Sequence, residues 1–110
     1  MDNVKILDCT LRDGGYYNNW DFSTSLSKNY LNVLAKTSVD VIEIGFRKPI
    51  SNIGPSSGSL KKIGKFLVSE DKYLKKIKIP KNKKISVMID LSDYIGNEAF
   101  KKLKKNFINS

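Results

Sequence analysis

The sequence predicts an α/β domain built on three parallel strands, and three observations carry that expectation. First, three segments alternate with a period of two: Ile6 to Asp13, Val41 to Arg47 and Ile85 to Ser92. Second, the segments between them carry apolar residues at helical spacing, so that strand and helix take turns along the chain. Third, each alternating segment opposes an apolar face to a face that carries an acid. If helices cover the apolar faces, those acids gather at the carboxyl ends of the strands, where α/β proteins place their sites.

In the first segment Leu7, Cys9 and Leu11 share one face, and Asp8, Thr10 and Arg12 share the other. Aspartate is depleted in strands, so Asp8 calls for a reason. Gly14 and Gly15 turn the chain into Tyr16-Tyr17-Asn18-Asn19-Trp20-Asp21, an aromatic and amide loop that either closes on a ligand or anchors to the next helix through Trp20 and Phe22. Ser23 is the expected cap of that helix, in which Leu26, Tyr30, Val33 and Leu34 recur through about Lys36. Asp40 opens the second segment, away from the strand mouths, and reads as a surface acid.

In the second segment Ile42, Ile44 and Phe46 oppose Glu43, Gly45 and Arg47. The stretch from Lys48 to Gly58, rich in proline, glycine and serine, is a loop of the length common in binding elements. Ser59 is the expected cap of a second helix, with Leu60, Ile63, Phe66 and Leu67 as its stripe. Ser69-Glu70-Asp71 interrupts or recaps it, and Tyr73, Leu74 and Ile77 continue the pattern to Pro80. In the third segment Ile85, Val87, Ile89 and Leu91 oppose Ser86, Met88, Asp90 and Ser92. Ala99, Phe100, Leu103, Phe107 and Ile108 mark a final helix.

The chain of 110 residues, 40% apolar and 28% charged, fits one globular domain with a modest core. No apolar run approaches the ~18 residues of a membrane span, and the first residues lack the features of a signal peptide. The single cysteine, Cys9, forms no internal disulfide, which fits a reducing, cytoplasmic setting; on the apolar face it reads as a small buried hydrophobe.

A formal charge of +9 suggests nucleic acid, but its distribution argues against that partner. Eighteen of the twenty basic residues are lysine, many in runs on expected helix faces or in a loop. Arginine forks and interleaved aromatics, the usual tools of base recognition and strand stacking, are not evident. The two arginines, Arg12 and Arg47, instead stand at the ends of expected strands. A planar guanidinium grips carboxylate or enolate oxygens in a way that an ammonium does not, although an internal ion pair with Asp8, Asp13 or Glu43 would also explain either one.

The candidate site therefore gathers Asp8, Arg12 and Asp13 from the first strand end, Glu43 and Arg47 from the second and Asp90 from the third. Tyr16 is a further candidate substrate contact. Crowded carboxylates repel one another unless a cation neutralises them, and hard oxygen donors suit Mg²⁺ or Mn²⁺. Such an ion with a neighbouring arginine would stabilise the enolate of a 2-oxo acid.

The run Leu7-Asp8-Cys9-Thr10-Leu11-Arg12-Asp13-Gly14, followed by Val41-Ile42-Glu43-Ile44-Gly45-Phe46, resembles the amino-terminal part of the HMG-CoA-lyase-like, or pyruvate-carboxyltransferase-like, TIM-barrel metalloenzymes, with the 4-hydroxy-2-oxovalerate aldolase group nearest. The resemblance implies a (β/α)8 barrel and a metal-dependent lyase acting on a 2-oxo acid together with an aldehyde or acyl donor. It matches Asp13 to the metal-binding aspartate, Arg12 to the enolate-stabilising arginine and Glu43 to the acid of the second strand. Asp8, Arg47, Asp90 and Tyr16 rest on the strand-end and loop arguments alone.

Two departures stand out. Gly15-Tyr16-Tyr17 follows the motif where the family carries other residues, which leaves the catalytic base open. The family's His-x-His metal pair has no counterpart, because the chain contains no histidine. A barrel of this kind takes about 250 residues and eight strands, so the expectation is an incomplete barrel: the first three βα units of a larger enzyme, inactive alone, and self-associating or joined to the missing portion. A Claisen-type acyl-CoA acyltransferase and a non-catalytic basic interaction module are the alternatives.

Overall fold

The computed structural model describes residues 3–49 and 63–94. Strands β1 (Leu7–Asp8), β2 (Val41–Phe46) and β3 (Lys84–Met88) form one parallel sheet in the order β1-β2-β3. Among the described residues, four α-helices lie between them: α1 (Thr10–Gly14), α2 (Thr24–Ala35), α3 (Lys65–Val68) and α4 (Asp71–Lys76). The alternation of strand and helix expected from periodicity is therefore present. Among the described residues, no helix is long and apolar enough to cross a membrane. The expected loop beyond Pro49, the Ser59 cap, Leu60 and the helix from Ala99 to Ile108 lie outside the described residues.

The first strand is shorter than its pattern suggested. Asp8 ends it by accepting hydrogen bonds from the Thr10 amide (3.3 Å) and hydroxyl (2.9 Å), a local turn that competes with extension of the strand. Cys9 leaves the extended region (φ −121°, ψ 24°), and its carbonyl accepts the Asp13 amide at 2.9 Å. Thr10 to Gly14 is thus helical, and Arg12 and Asp13 are helix residues rather than strand residues. Cys9 is half-buried rather than buried, because it precedes α1 instead of lying on a strand face.

Ser23 caps α2 as expected, its Oγ accepting the Leu26 amide at 3.0 Å. The buried stripe, however, is Ser27, Leu31 and Leu34, while Leu26 and Val33 are exposed and Tyr30 is half-buried. Ser27 enters the packed face because its hydroxyl donates to the Ser23 carbonyl at 2.9 Å, leaving no unmet polar group. Full burial of a side chain such as Leu31 or Ile42 contributes about 2 kcal/mol.

β2 is the centre of the sheet, and Ile42 to Phe46 are all buried. Its register on β3 slips by one residue between Glu43 and Gly45, so strict alternation breaks there. Gly45 sits where the α3 backbone comes close: a Cβ at this position would lie 2.2 Å from the Phe66 carbonyl oxygen. Ser69, at φ 51°, separates α3 from α4, as the Ser69-Glu70-Asp71 interruption suggested. Phe66, Tyr73 and Ile77 join Ile42, Ile44, Leu31 and Leu34 in the core.

β3 stops at Met88 rather than running to Ser92. Asp90 accepts the Ser92 amide (3.1 Å) and hydroxyl (2.7 Å), and the chain bends into a 3₁₀ turn over Leu91–Asp93 that leaves Leu91 exposed. Asp40 is more than a surface acid: its carboxylate accepts the Ile6 amide at 2.8 Å and fastens the start of β1 to β2.

Candidate functional site

The end of β1, the first turn of α1 and the middle of β2 bring Arg12, Asp13 and Glu43 together. Arg12 Nε lies 3.2 Å from Glu43 Oε1, and its terminal nitrogen lies 3.3 Å from Asp13 Oδ1. The Nε hydrogen is not aligned on an acceptor despite that short approach, so charge attraction rather than a directed hydrogen bond joins Arg12 to Glu43. The other Glu43 oxygen accepts the Ser86 hydroxyl at 2.8 Å. Glu43 and Ser86 are paired in the β2–β3 register, which brings the hydroxyl alongside the carboxylate.

Asp13 is the open acid of the cluster, with 63% of its side chain exposed against 11% for Glu43. Its second oxygen accepts the Cys9 thiol at 3.5 Å. Arg12 is held even more firmly protonated than an ordinary arginine, first by hydrogen bonding with Cys9 and then by the charges of Asp13 and Glu43, with burial acting in the opposite direction.

An aromatic wall holds the α1 turn from the other side. The Trp20 indole N–H donates to the Arg12 carbonyl at 2.9 Å, and its ring meets Phe46 and Tyr16 edge-on at centroid distances of 5.3 and 4.8 Å. Gly15 permits this packing, since a Cβ there would lie 1.9 Å from the indole. Asn19 and Trp20 both adopt positive φ (56° and 57°), a conformation that bulky residues rarely take unless their surroundings hold them in it. Trp20 is therefore an anchor, and Tyr16, itself exposed, leans on it.

The remaining candidates are placed elsewhere. Asp8 accepts the Tyr30 hydroxyl at 2.9 and 3.0 Å as well as Thr10, so its carboxylate is occupied by α1 and α2. Arg47 pairs with Asp71 at 2.8 Å and donates to the Ser69 carbonyl at 2.8 Å; its acid partner is on α4, not Asp8, Asp13 or Glu43. Asp90 lies 3.9 Å from Lys48, which pairs more closely with Asp93 at 2.8 Å. The Tyr94 hydroxyl donates to the Arg47 carbonyl.

Sequence reasoning passed over Ser86 and Tyr30 as parts of this arrangement, and it read Trp20 as an anchor to the next helix rather than to the Arg12 carbonyl. Ser86 shares a strand face with Asp90, which is a weak signal. Tyr30 falls on the helix stripe by its ring, and nothing in the periodicity singles out the hydroxyl that reaches Asp8. A cavity of about 430 Å³ lies between the start of α2 and the α3–α4 region, lined by residues such as Phe22, Lys65, Lys72 and Tyr73, none of them from the Arg12 cluster.

Among solved structures, the chain is similar to the crystal structure of "the N-terminal domain of a putative aldolase from Bacteroides vulgatus", at 37% identity and a TM-score of 0.65. The likeness covers 82% of this chain and 27% of that one, so this chain spans about a quarter of the protein it matches. The fold is aldolase-like: α/β, with three parallel strands in an open sheet. No family model and no curated protein matches the chain.

Proposed function

We propose that Arg12, Asp13 and Glu43 form the enolate-stabilising corner of a lyase that makes or breaks a carbon–carbon bond beside a 2-oxo acid. The supporting observation is a guanidinium held between two carboxylates, at 3.3 and 3.2 Å, where two adjacent parallel strands meet the turn after β1. The likeness to the N-terminal domain described as that of a putative aldolase points the same way.

In cleavage of a 4-hydroxy-2-oxo acid, a base takes the 4-hydroxyl proton and the C3–C4 bond breaks to release an aldehyde. The electron pair passes to the enolate of pyruvate, which is later protonated at C3. Arg12 is the group suited to the developing charge on the C2 oxygen, because it is fixed by its neighbours and stays protonated. Glu43 holds the guanidinium from β2, and Ser86 holds Glu43.

The donor set fits a hard divalent ion in one respect only. Asp13, although its oxygens meet Arg12 and Cys9, is mostly exposed and able to coordinate Mn²⁺ or Mg²⁺, whereas Glu43 is buried between Arg12 and Ser86. Among the described residues, no group of three His, Cys, Asp or Glu side chains is placed to hold a metal. Asp13 is therefore proposed as one ligand, the others coming from outside the described residues. A bound ion would polarise the keto oxygen.

The three βα units are proposed as part of a (β/α)8 barrel. The order β1-β2-β3 agrees with one, and it rules out sheets in which the first strand lies between the second and third. The proposed substrates are a small 2-oxo acid and an aldehyde or acyl donor.

Oxalate, planar and anionic like the enolate of pyruvate, tests the site by calorimetry in the presence and absence of Mn²⁺. Oxalate binding should weaken about tenfold or more in Arg12→Lys, since a charged hydrogen bond is lost. Asp13→Asn should remove the Mn²⁺ dependence. No oxalate binding, or binding indifferent to Arg12→Lys, would overturn the reading.

A further inference from the structure

We propose that Tyr30 is a positioning residue that sets the pose of the Arg12–Asp13 turn by gripping Asp8 from α2. The Tyr30 hydroxyl lies 3.0 and 2.9 Å from the two Asp8 oxygens. The same carboxylate accepts the hydroxyl and amide of Thr10, the first residue of α1. Two and three residues later come Arg12 and Asp13. A single carboxylate thus ties a long helix, a strand end and the turn that carries the candidate site.

The arrangement is specific in its chemistry. Asp8, when ionised, can only accept, and Tyr30 and Thr10 between them present two hydroxyl donors and one amide donor to its two oxygens. α1 has only five residues and cannot hold its own geometry, since so short a helix makes few internal hydrogen bonds. Its pose must come from contacts with the rest of the fold. Trp20 supplies one, on the Arg12 carbonyl, Glu43 another, on the Arg12 side chain, and the Asp8–Tyr30 link fixes the start of the helix through Thr10. Burial and the facing Asp8 carboxylate both keep the Tyr30 phenol protonated, so the donor is present throughout the neutral range.

Cys9 offers a built-in reporter of the turn. It is the only cysteine, it directly precedes α1, and its thiol donates to Asp13. Alkylation of Cys9 by iodoacetamide at fixed neutral pH therefore reads how tightly the turn is held, without reference to any reaction. Tyr30→Phe, which keeps the ring, should raise the rate about tenfold by freeing the turn to open. Asp8→Asn should do the same, and the double variant should be no faster than either single one, because both act through one link. Tyr73→Phe removes a different buried hydroxyl, the one bonded to Thr24, and should leave the rate unchanged.

A Tyr30→Phe rate equal to that of the unaltered protein would overturn the proposal. So would additive effects of the two substitutions, or an equal response in Tyr73→Phe, which would mean general softening. The consequence for catalysis rests on the function proposed above, but the alkylation readout does not. If Cys9 responds as expected while Arg12→Lys leaves oxalate binding intact, the positioning role stands and the enolate reading falls.

Discussion

Arg12 Nε stands 3.2 Å from Glu43 Oε1, and this approach joins the helix that follows β1 to the neighbouring strand β2. The acid is buried and the guanidinium only partly so. Removing one partner therefore leaves the other with a charge that water reaches poorly.

Glu43→Ala should accordingly destabilise the fold by about 2 kcal/mol, less than the loss for a fully buried pair because Arg12 keeps some contact with solvent. Glu43→Gln retains the volume and an acceptor for Ser86 and should cost about half as much. Urea denaturation midpoints, compared at constant slope, measure both.

Trp20 and Gly15 should behave as one unit. Gly15→Ala places a methyl 1.9 Å from the indole and forces the ring out, so it should cost about 3 kcal/mol and shift the emission of the single tryptophan to the red. Trp20→Phe keeps the aromatic packing but loses the N–H donated to Arg12, at about 1 kcal/mol.

Two other glycines should give opposite results. Gly45→Ala drives a methyl against the Phe66 carbonyl and should destabilise by about 2 kcal/mol. At Gly14, by contrast, the new Cβ would meet only the edge of Phe22 at 3.6 Å, and the backbone is already right-handed helical. Gly14→Ala should leave stability unchanged or raise it by about 0.5 kcal/mol. Thermal melts of the two variants side by side provide the comparison.

Tyr30 predicts an alkaline limit. Burial first, and then Asp8, raises its pKa above the ordinary phenol value of 10.0. A folded-state pKa above the unfolded one means that the contribution to stability is complete below pH 10.0 and is lost as pH rises through the higher folded value. Replacing the residue by Phe should flatten that alkaline loss in a series of urea denaturations; an unchanged slope would show that the Tyr30 phenol has the same pKa folded and unfolded.

Much of the architecture was legible in the residues themselves. Alternation in Val41 to Phe46 and helical spacing after Ser23 are local properties, enforced by the two-residue and 3.6-residue periods of the backbone, and they yielded a strand–helix order with the right cap. The grouping of Arg12, Asp13 and Glu43 was legible for a related reason: β1 and β2 are parallel neighbours, so the residues just after β1 lie beside the body of β2 whatever the exact register. The strand ends were not legible, because Asp8 and Asp90 stop β1 and β3 by binding amides two residues ahead, a choice that alternation does not encode.

The amino-acid order thus determined an α/β chain with one arginine and two acids converging after the first two strands. Which acid pairs with Arg47, which face of α2 is buried and what occupies Asp8 depended on groups far apart in the chain: Asp71, Leu31 and Tyr30. Those partners are chosen by where helices land on the sheet. A one-residue register slip beside Gly45, or a rotation of α2 by a fraction of a turn, redirects a side chain without altering the periodic pattern from which the elements were read.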